Sequence, residues 1–255
     1  MQIKEVTDYL DELFPRENAL DYDNPGLMTG DTSSFLTGCV ISLDCTGKAI
    51  DTAIKNGCNL IITHHPIIFG GIDSVSVETV TGRLLSKLIK SDIACFACHT
   101  NLDLTDEFGN KAIAEAIGIS ESSRLDSSLC GSVFELEEET TVSEFEQRVA
   151  EGLKTSGIIT INPTDSKVKK VFIQGGAFDE DSIEAIVRAG VDTVVSGEIK
   201  HHLTVLLEEL GINTLIAGHS ATEQVYLPKL EKLLQIKFPQ IKFIVNCNNE
   251  GTSVL

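Results

Sequence analysis

Short apolar runs alternate with helix-like segments along nearly the whole chain. In the first half the apolar runs are CVISLD, CNLIIT and IACFAC (39–44, 58–63 and 93–98), and an amphipathic segment follows each of them. Short runs of this kind between helical segments are typical of buried strands joined by crossover helices. The same alternation returns between residues 170 and 247. The sequence therefore predicts an α/β fold with largely parallel strands.

A weak internal repeat links the two halves of the chain. AIKNGCNLIIT (53–63) aligns with AIVRAGVDTVVS (185–196) if one inserted residue is allowed, and the preceding strands VISLD and VFIQGG also correspond. The two aligned runs end on a hydroxyl residue, Thr63 or Ser196. This pattern predicts a duplicated α/β unit, with chance similarity between two βαβ units as the alternative.

The repeat sets the expected division of the chain. A first α/β half is expected over 1–125 and a second over 126–220, and a C-terminal helix and strand over 221–255 are expected to pack back on the first half. The acidic stretch ELEEETT is expected to be a solvated turn. The first residues, MQIKEVTDYLDELF, have the pattern of an amphipathic helix rather than a signal peptide.

All six histidines follow a strand-like run. They are His64 and His65 after LIIT, His99 after ACFAC, His201 and His202 after VVSGEIK, and His219 after LIAG. Two acids recur at one spacing, because Asp103 lies four residues after His99 and Glu223 four residues after His219. Since α/β sheets collect their ligand-binding side chains at strand ends, we expect these residues to gather.

This set of side chains has the composition of a dinuclear metal site. His64, His65 and His219 supply imidazoles, while Asp103 and Glu223 supply carboxylates that can bridge two ions. Two ions about 3.5–4 Å apart with open positions for water are typical of hydrolytic centres. Taken singly, each residue has an ordinary alternative: a surface histidine pair, a helix N-cap at Asp103, or a first-turn acid at Glu223. The combination favours metal.

The other histidines are candidates for proton transfer. His99, His201 and His202 could each act as a general acid or base beside the metal site. His201 and His202 are equally compatible with plain surface positions. Mixed imidazole and carboxylate ligands suit Zn, Fe, Mn, Co or Ni, so the residues predict two divalent ions per subunit without naming the metal.

Charge and cysteine content limit the class of protein. Acidic residues number 38 against 20 basic ones, and the net charge of −18 argues against a main role in gripping nucleic acid. No run approaches the ~18 apolar residues of a membrane span. The C-x-x-C residues Cys95 and Cys98 lie in an apolar run and are expected to be buried thiols, which fits a reducing cytoplasm. Neither QGGAF nor FGGID matches a glycine-rich nucleotide motif.

Six motifs, in order, resemble the Nif-three-like family, whose members are called GTP cyclohydrolase 1 type 2 homologues. The motifs are DYDNPGLMTGD (21–31), LDCT (43–46), THHPIIF (63–69), ACHTNLD (97–103), SGEIKHH (196–202) and GHSATE (218–223). The resemblance spans nearly the whole chain and matches the short form of the family, without an inserted domain. The segment around KVFIQGGAFD departs from the more glycine-rich family pattern.

The resemblance implies two similar, intertwined α/β domains with the metal site between them. It also implies a toroidal homohexamer whose metal sites face an inner cavity. By motif, the dinuclear ligands of the family fall here on His64, His65, Asp103, His219 and Glu223.

These features favour a dinuclear metal-dependent hydrolase with a small-molecule substrate. The reaction that the resemblance implies is GTP cyclohydrolase-type ring opening of a purine nucleotide by a metal-bound hydroxide, with His99, His201 or His202 carrying the proton. The alternative is a non-catalytic metal-binding, metal-delivery or regulatory interaction protein. A DNA-associated ring is a third possibility, which the acidity disfavours. A cytoplasmic location without membrane contact is expected.

Overall fold

The chain forms two compact units. The computed structural model describes residues 1–119, 122–123, 130–162 and 167–247. Unit 1 comprises Met1–Leu102 and the described residues from Leu227 onwards, and unit 2 comprises Asp103–Tyr226. The chain thus enters unit 2 after Leu102 and leaves it after Tyr226, whereas the sequence places these changes at 125 and 220.

The elements alternate as the sequence predicts. The chain begins with α1 (Ile3–Leu13), β1 (Gly26–Thr29), β2 (Cys39–Ser42), α2 (Gly47–Asn56), β3 (Leu60–Thr63), α3 (Val80–Lys90), β4 (Ala94–Ala97) and α4 (Thr100–Asp103). It continues with α5 (Asn110–Ala116), β5 (Ser122–Ser123), β6 (Ser132–Thr141), α6 (Val142–Leu153), β7 (Ile159–Ile161), β8 (Lys167–Ala177), α7 (Ser182–Ala189) and β9 (Thr193–Glu198). It ends with α8 (His201–Glu209), β10 (Asn213–Ile216), α9 (His219–Gln224), α10 (Tyr226–Lys237) and β11 (Phe243–Asn246).

Unit 1 is built on a five-stranded sheet with the strand order β1-β4-β3-β2-β11. The four strands from β4 to β11 are parallel, and β1 closes one edge antiparallel to β4. Every residue of β2, β3 and β4 is buried. Parallel strands covered on both faces require such unbroken apolar runs, which explains why the sequence shows no alternation there.

Unit 2 is built on a six-stranded sheet with the strand order β5-β6-β8-β9-β10-β7. Its central strands β8, β9 and β10 are parallel, whereas β6 and β7 run antiparallel to their neighbours. Phe172, Val194 and Leu207 lie in the apolar core of this unit.

The two units share one topology, as the sequence repeat predicts. The segment β2-α2-β3-α3-β4 corresponds to β8-α7-β9-α8-β10, and in both units an antiparallel strand pairs with the third parallel strand. In unit 1 Thr63 pairs with Ala97, and in unit 2 Ser196 pairs with Ile216. The α/β fold with two similar domains is thereby confirmed.

The repeated helix ends for the same reason in both units. Helix α2 begins where the Thr46 side chain accepts a hydrogen bond from the Ala49 N–H at 3.1 Å, and it ends at Gly57 with φ 67°. Helix α7 ends at Gly190 with φ 68°. A left-handed residue in this position closes the last helical turn, and glycine adopts it without steric cost.

Two local expectations were wrong. The acidic stretch ELEEETT is part of β6 rather than a turn, although Glu137, Glu138 and Glu139 are indeed exposed. The pairing of β6 with β8 is irregular between Glu135 and Thr140, which removes the alternation that marks a strand. The segment expected to begin with a single C-terminal helix after residue 220 is instead divided between α9 and α10.

The cysteines of the C-x-x-C motif are buried thiols, as the sequence predicts. Cys95 and Cys98 are both free and buried, and burial raises the pKa of the Cys98 thiol well above its usual range. In the described part of the chain, no helix is both long and apolar enough to cross a membrane.

The paired helix ends can be tested by substitution. We expect Gly57→Ala and Gly190→Ala each to lower the free energy of unfolding by about 1–2 kcal/mol, because a Cβ is disfavoured at positive φ although the space around both residues is open. Gly47→Ala, at the first position of α2, is the matched control and should be neutral or slightly stabilising. Urea unfolding measures all three, and wild-type stability in Gly57→Ala would contradict this explanation.

Candidate metal centre

Three imidazoles converge in unit 1. His64, His65 and His99 each offer a ring nitrogen, and these nitrogens lie within 4.8 Å of one another. The ring centroids are 5.0 Å apart for His64 and His65, 5.1 Å for His64 and His99, and 5.5 Å for His65 and His99. This cluster is called the imidazole cluster below, and it lies where β3 and β4 end.

The backbone at the end of β3 explains how two successive histidines reach one cluster. The N–H groups of His64 and His65 both donate to the Leu43 carbonyl, at 3.2 and 3.0 Å. Two consecutive donors on one acceptor interrupt the alternation of a regular strand, in which neighbouring side chains point to opposite faces.

Each imidazole is held through its Nδ1 atom. His64 Nδ1 lies 2.9 Å from the Cys98 carbonyl oxygen, and His65 Nδ1 lies 2.8 Å from Asp44 Oδ1. A carbonyl or an ionised carboxylate can only accept, so both Nδ1 atoms carry the proton in the neutral ring. The lone pair is then on Nε2, which is the arrangement that orients a histidine as a metal ligand.

His99 belongs to a denser network. Its Nδ1 lies 2.7 Å from Asp23 Oδ1, and Asp23 Oδ2 accepts from the Thr100 N–H at 3.0 Å and the Thr100 hydroxyl at 2.5 Å. Burial alone raises the pKa of Asp23, but the hydrogen bonds from His99 and Thr100 outweigh it and lower the pKa to about 2. Asp23 is therefore ionised at neutral pH and fixes the third imidazole.

Unit 2 holds a histidine between two carboxylates. His219 begins α9, and its Nε2 lies 3.1 Å from Oε2 of Glu223 one turn later. Its Nδ1 lies 3.3 Å from Oε1 of Glu198, the last residue of β9. Glu223 is buried. This second cluster, His219 with Glu198 and Glu223, is called the carboxylate cluster below.

Glycines make room for the carboxylate cluster. Gly176 has φ 64°, and a Cβ there would lie 2.3 Å from Glu223 Oε1 and 3.3 Å from His219 Cε1. At Gly197 a Cβ would lie 2.6 Å from the Cα of His219. The diglycine of QGGAF, which resembles no nucleotide motif, thus serves the placement of the candidate ligands.

A buried tyrosine links Asp103 to this cluster. Burial raises the pKa of Tyr226 well above its usual range, and the neighbouring carboxylates of Asp103 and Glu223 raise it further. The phenol is therefore neutral and can donate a hydrogen bond to Asp103. At Gly175 a Cβ would lie 2.2 Å from the Tyr226 hydroxyl, so this glycine too is required.

Two of the candidate proton carriers lie on the surface of unit 2. His201 and His202 are exposed at the start of α8. His202 Nε2 lies 3.6 Å from Glu180 Oε2, a surface contact in which both side chains are exposed. Within the described residues, His99 is the candidate proton carrier that the fold brings beside His64 and His65.

Sequence reasoning missed the residues that orient the imidazoles. Asp44 and Asp23 were not given a role, nor was Gly176. A signal for Asp44 existed, because it lies two residues after β2, and β2 pairs with the strand that immediately precedes His64. Asp23 lies in an irregular segment 76 residues before its histidine, and no spacing rule connects the two.

The donor set fits a divalent transition metal. Imidazole nitrogens and carboxylate oxygens are the ligands that Zn, Fe, Mn, Co and Ni share. Gly176 has φ 64° and packs directly against the carboxylate of Glu223, so a side chain at position 176 would displace it. Each cluster could hold or help to hold a metal ion.

The role of Asp44 gives a testable prediction. We expect Asp44→Ala to weaken divalent-metal affinity by about 10–100-fold, because His65 loses the acceptor that fixes its ring. Asp44→Asn keeps an acceptor oxygen and should lose less. Asp8→Ala, which removes an exposed carboxylate paired with Lys4, is the control. Calorimetric titration with Zn²⁺ or Mn²⁺ measures the affinities, and equal affinity in Asp44→Ala and wild type would contradict the role.

Comparison with known proteins assigns the chain to a family. The model of the Duf34/NIF3 (NGG1p interacting factor 3) family matches residues 1–250. A protein named GTP cyclohydrolase 1 type 2 homolog from Clostridium acetobutylicum is 31% identical over 242 residues, which cover 92% of this chain and 90% of the relative.

Solved structures agree with this assignment. A hypothetical protein from Staphylococcus aureus superposes with a TM-score of 0.91 at 26% identity, and the match covers 99% of this chain and 98% of the other. A Bacillus cereus protein related to NIF3 has the same fold, with a TM-score of 0.92 at 20% identity and coverage of 100% and 99%. The chain therefore belongs to the Duf34/NIF3 family.

Proposed function

We propose that this protein is a dinuclear metal-dependent hydrolase. Its ligands are His64, His65, Asp103, His219 and Glu223, which bind two divalent ions per subunit. The observation that carries the proposal is that Nδ1 of His64 and Nδ1 of His65 each lie within hydrogen-bond distance of an acceptor, which leaves Nε2 of both rings to bind metal. The close packing of Gly176 against Glu223 and of Gly197 against His219 also supports it, because no larger residue would leave room for these two side chains.

Bound divalent ions would supply a nucleophile near neutral pH by lowering the pKa of water, and they would stabilise developing negative charge. The contribution of the protein is to position the candidate ligands. The neutral phenol of Tyr226 lies beside Asp103 and can donate to that carboxylate, while Gly176 leaves space for Glu223. These contacts position the candidate ligands Asp103 and Glu223.

His99 is the residue that we propose for proton transfer. Its Nδ1 proton is held by Asp23, so Nε2 is the atom that accepts a proton from the reacting group and returns it. Asp23 remains ionised because its pKa is about 2, so it stays an acceptor that keeps the His99 ring oriented. His201 and His202 remain further candidates, and their exposed side chains suit contact with a substrate.

The proposed substrate is a purine nucleotide or a related small molecule. The relatives that carry the name GTP cyclohydrolase 1 type 2 homolog support this class, with hydrolytic opening of a purine ring as the reaction. A net charge of −18 would repel a free phosphate chain, whereas bound cations would reverse the local field. The net charge of −18 also disfavours nucleic acid as a partner.

We place the protein in the cytoplasm.

Alanine and amide variants separate ligands from proton carriers. We expect His64→Ala, His219→Ala and Glu223→Gln to lose bound metal, because each removes a bond and leaves neighbouring charges uncompensated. His99→Ala should retain metal but lose about 10²–10⁴-fold in turnover of GTP or another nucleotide. Metal analysis by mass spectrometry and a nucleotide screen of metal-loaded protein provide the two readouts.

The ligand variants have a matched control, and each result that would contradict the proposal can be told apart. Glu184→Gln, on the exposed face of α7, should change neither readout. Loss of metal in His99→Ala as complete as in His219→Ala would make His99 a ligand and refute the five-residue set. Stable metal binding with no turnover of any nucleotide would favour a non-catalytic metal-binding or metal-delivery protein instead.

We also propose that the subunits assemble into a toroidal homohexamer. Exposed apolar side chains on helices, among them Val80, Ile89 and Ile236, support contact with further copies. Light scattering should give a mass several times the 27.6 kDa of one chain. A clean monomer at micromolar concentration would refute the ring.

A further inference from the structure

An exposed aromatic pair borders the imidazole cluster. Tyr22 is 62% and Phe69 55% exposed, and their ring centroids lie 6.1 Å apart at an interplanar angle of 67°. The ring of Phe69 also contacts that of His99, at 5.9 Å and 78°. The chain has only 11 Phe and 3 Tyr, and aromatic side chains normally gain most by burial. Two of them exposed beside candidate metal ligands therefore need an explanation.

The pair is held in place by the same segments that orient His99. Asp23, the residue after Tyr22, binds the His99 ring and both donors of Thr100. Asn24 donates through Nδ2 to the Ile68 carbonyl at 2.8 Å, which ties the segment of Tyr22 to that of Phe69. The rings are thus positioned beside the cluster rather than left on a loose surface.

Two glycines follow Phe69 directly. Gly70 and Gly71 have φ values of 73° and 91°, and a Cβ at either would meet no atom within 4 Å. The backbone turns away after the Phe69 ring without placing any side chain at these two positions. This leaves room next to the aromatic pair.

We propose that Tyr22 and Phe69 form a stacking platform for the planar heterocyclic base of the substrate. This inference rests on the proposed function and names the part of the ligand that unit 1 recognises. Aromatic side chains stack on any base through its π-face. The chain neighbours of Tyr22 are Asp21 and Asp23, which offer no cation to a phosphate group, so the uncharged base is the part of a nucleotide that suits this segment.

The size of the effect follows from base stacking on aromatic side chains. Removing one stacking ring typically weakens nucleobase binding by about 5- to 150-fold. The affinity for a ligand without a base should not change when the ring is removed. The comparison of a nucleoside with a sugar phosphate therefore isolates the platform from the metal.

The experiment is a calorimetric binding series on the metal-loaded full chain. The probes are guanosine, GTP, ribose 5-phosphate and inorganic tripolyphosphate, with wild type, Phe69→Ala, Tyr22→Ala and Tyr22→Phe. Phe35→Ala is the matched control, because Phe35 is a still more exposed phenylalanine, at 76%, on another segment of unit 1. Metal content and molar mass are measured for every variant.

The expected result is selective loss of base binding. Phe69→Ala and Tyr22→Ala should bind guanosine and GTP at least about fivefold more weakly. Ribose 5-phosphate, tripolyphosphate and metal binding should stay unchanged. Tyr22→Phe and Phe35→Ala should resemble wild type.

Three results would overturn the platform. The first is unchanged guanosine and GTP binding in Phe69→Ala and Tyr22→Ala. The second is a fall in molar mass without loss of base binding, which would make the pair a contact between copies. The third is a metal-loaded wild type that binds neither guanosine nor GTP, and in that case retained metal would leave the metal-centre proposal standing by itself.

Discussion

The hydrogen bonds that hold Nδ1 of three histidines are the interactions on which the imidazole cluster depends. The acceptors are a backbone carbonyl at Cys98 and the carboxylates of Asp44 and Asp23. A histidine without such an acceptor rotates and exchanges tautomers, so its lone pair has no fixed direction. Because Cys98 and Asp44 lie just after the parallel strands β4 and β2, the sheet sets the direction of the His64 and His65 rings, whereas Asp23 orients His99 from an irregular segment.

Equivalent strand ends in the two units carry different candidate ligands. In unit 1 the strand β3 ends in Thr63 and then two histidines, whereas the equivalent β9 continues through Ser196 to Gly197 and Glu198. Gly197 leaves space for the start of α9, which carries His219. One backbone plan thus supplies imidazoles in one unit and mainly carboxylates in the other, and a mixed set of this kind suits two divalent ions.

Much of this could be predicted from the sequence, and the reason is periodicity. The buried parallel strands and the αL helix ends at Gly57 and Gly190 follow from local patterns, and so does the position of histidines at strand ends. The role of Asp23 could not be predicted, because its hydrogen bond to His99 joins residues 76 apart through an irregular segment. The strand over ELEEETT was missed since its bulge breaks the alternation that local reasoning requires.

The most direct test of the metal centre is anomalous diffraction from crystals grown with Mn²⁺ or Zn²⁺, recorded on both sides of the absorption edge. The account predicts two anomalous peaks per subunit, with His64 and His65 bonded through Nε2 while their Nδ1 atoms keep the bonds to Cys98 and Asp44. Well-ordered crystals without a peak at these residues, or with the metal bound through Nδ1, would contradict it.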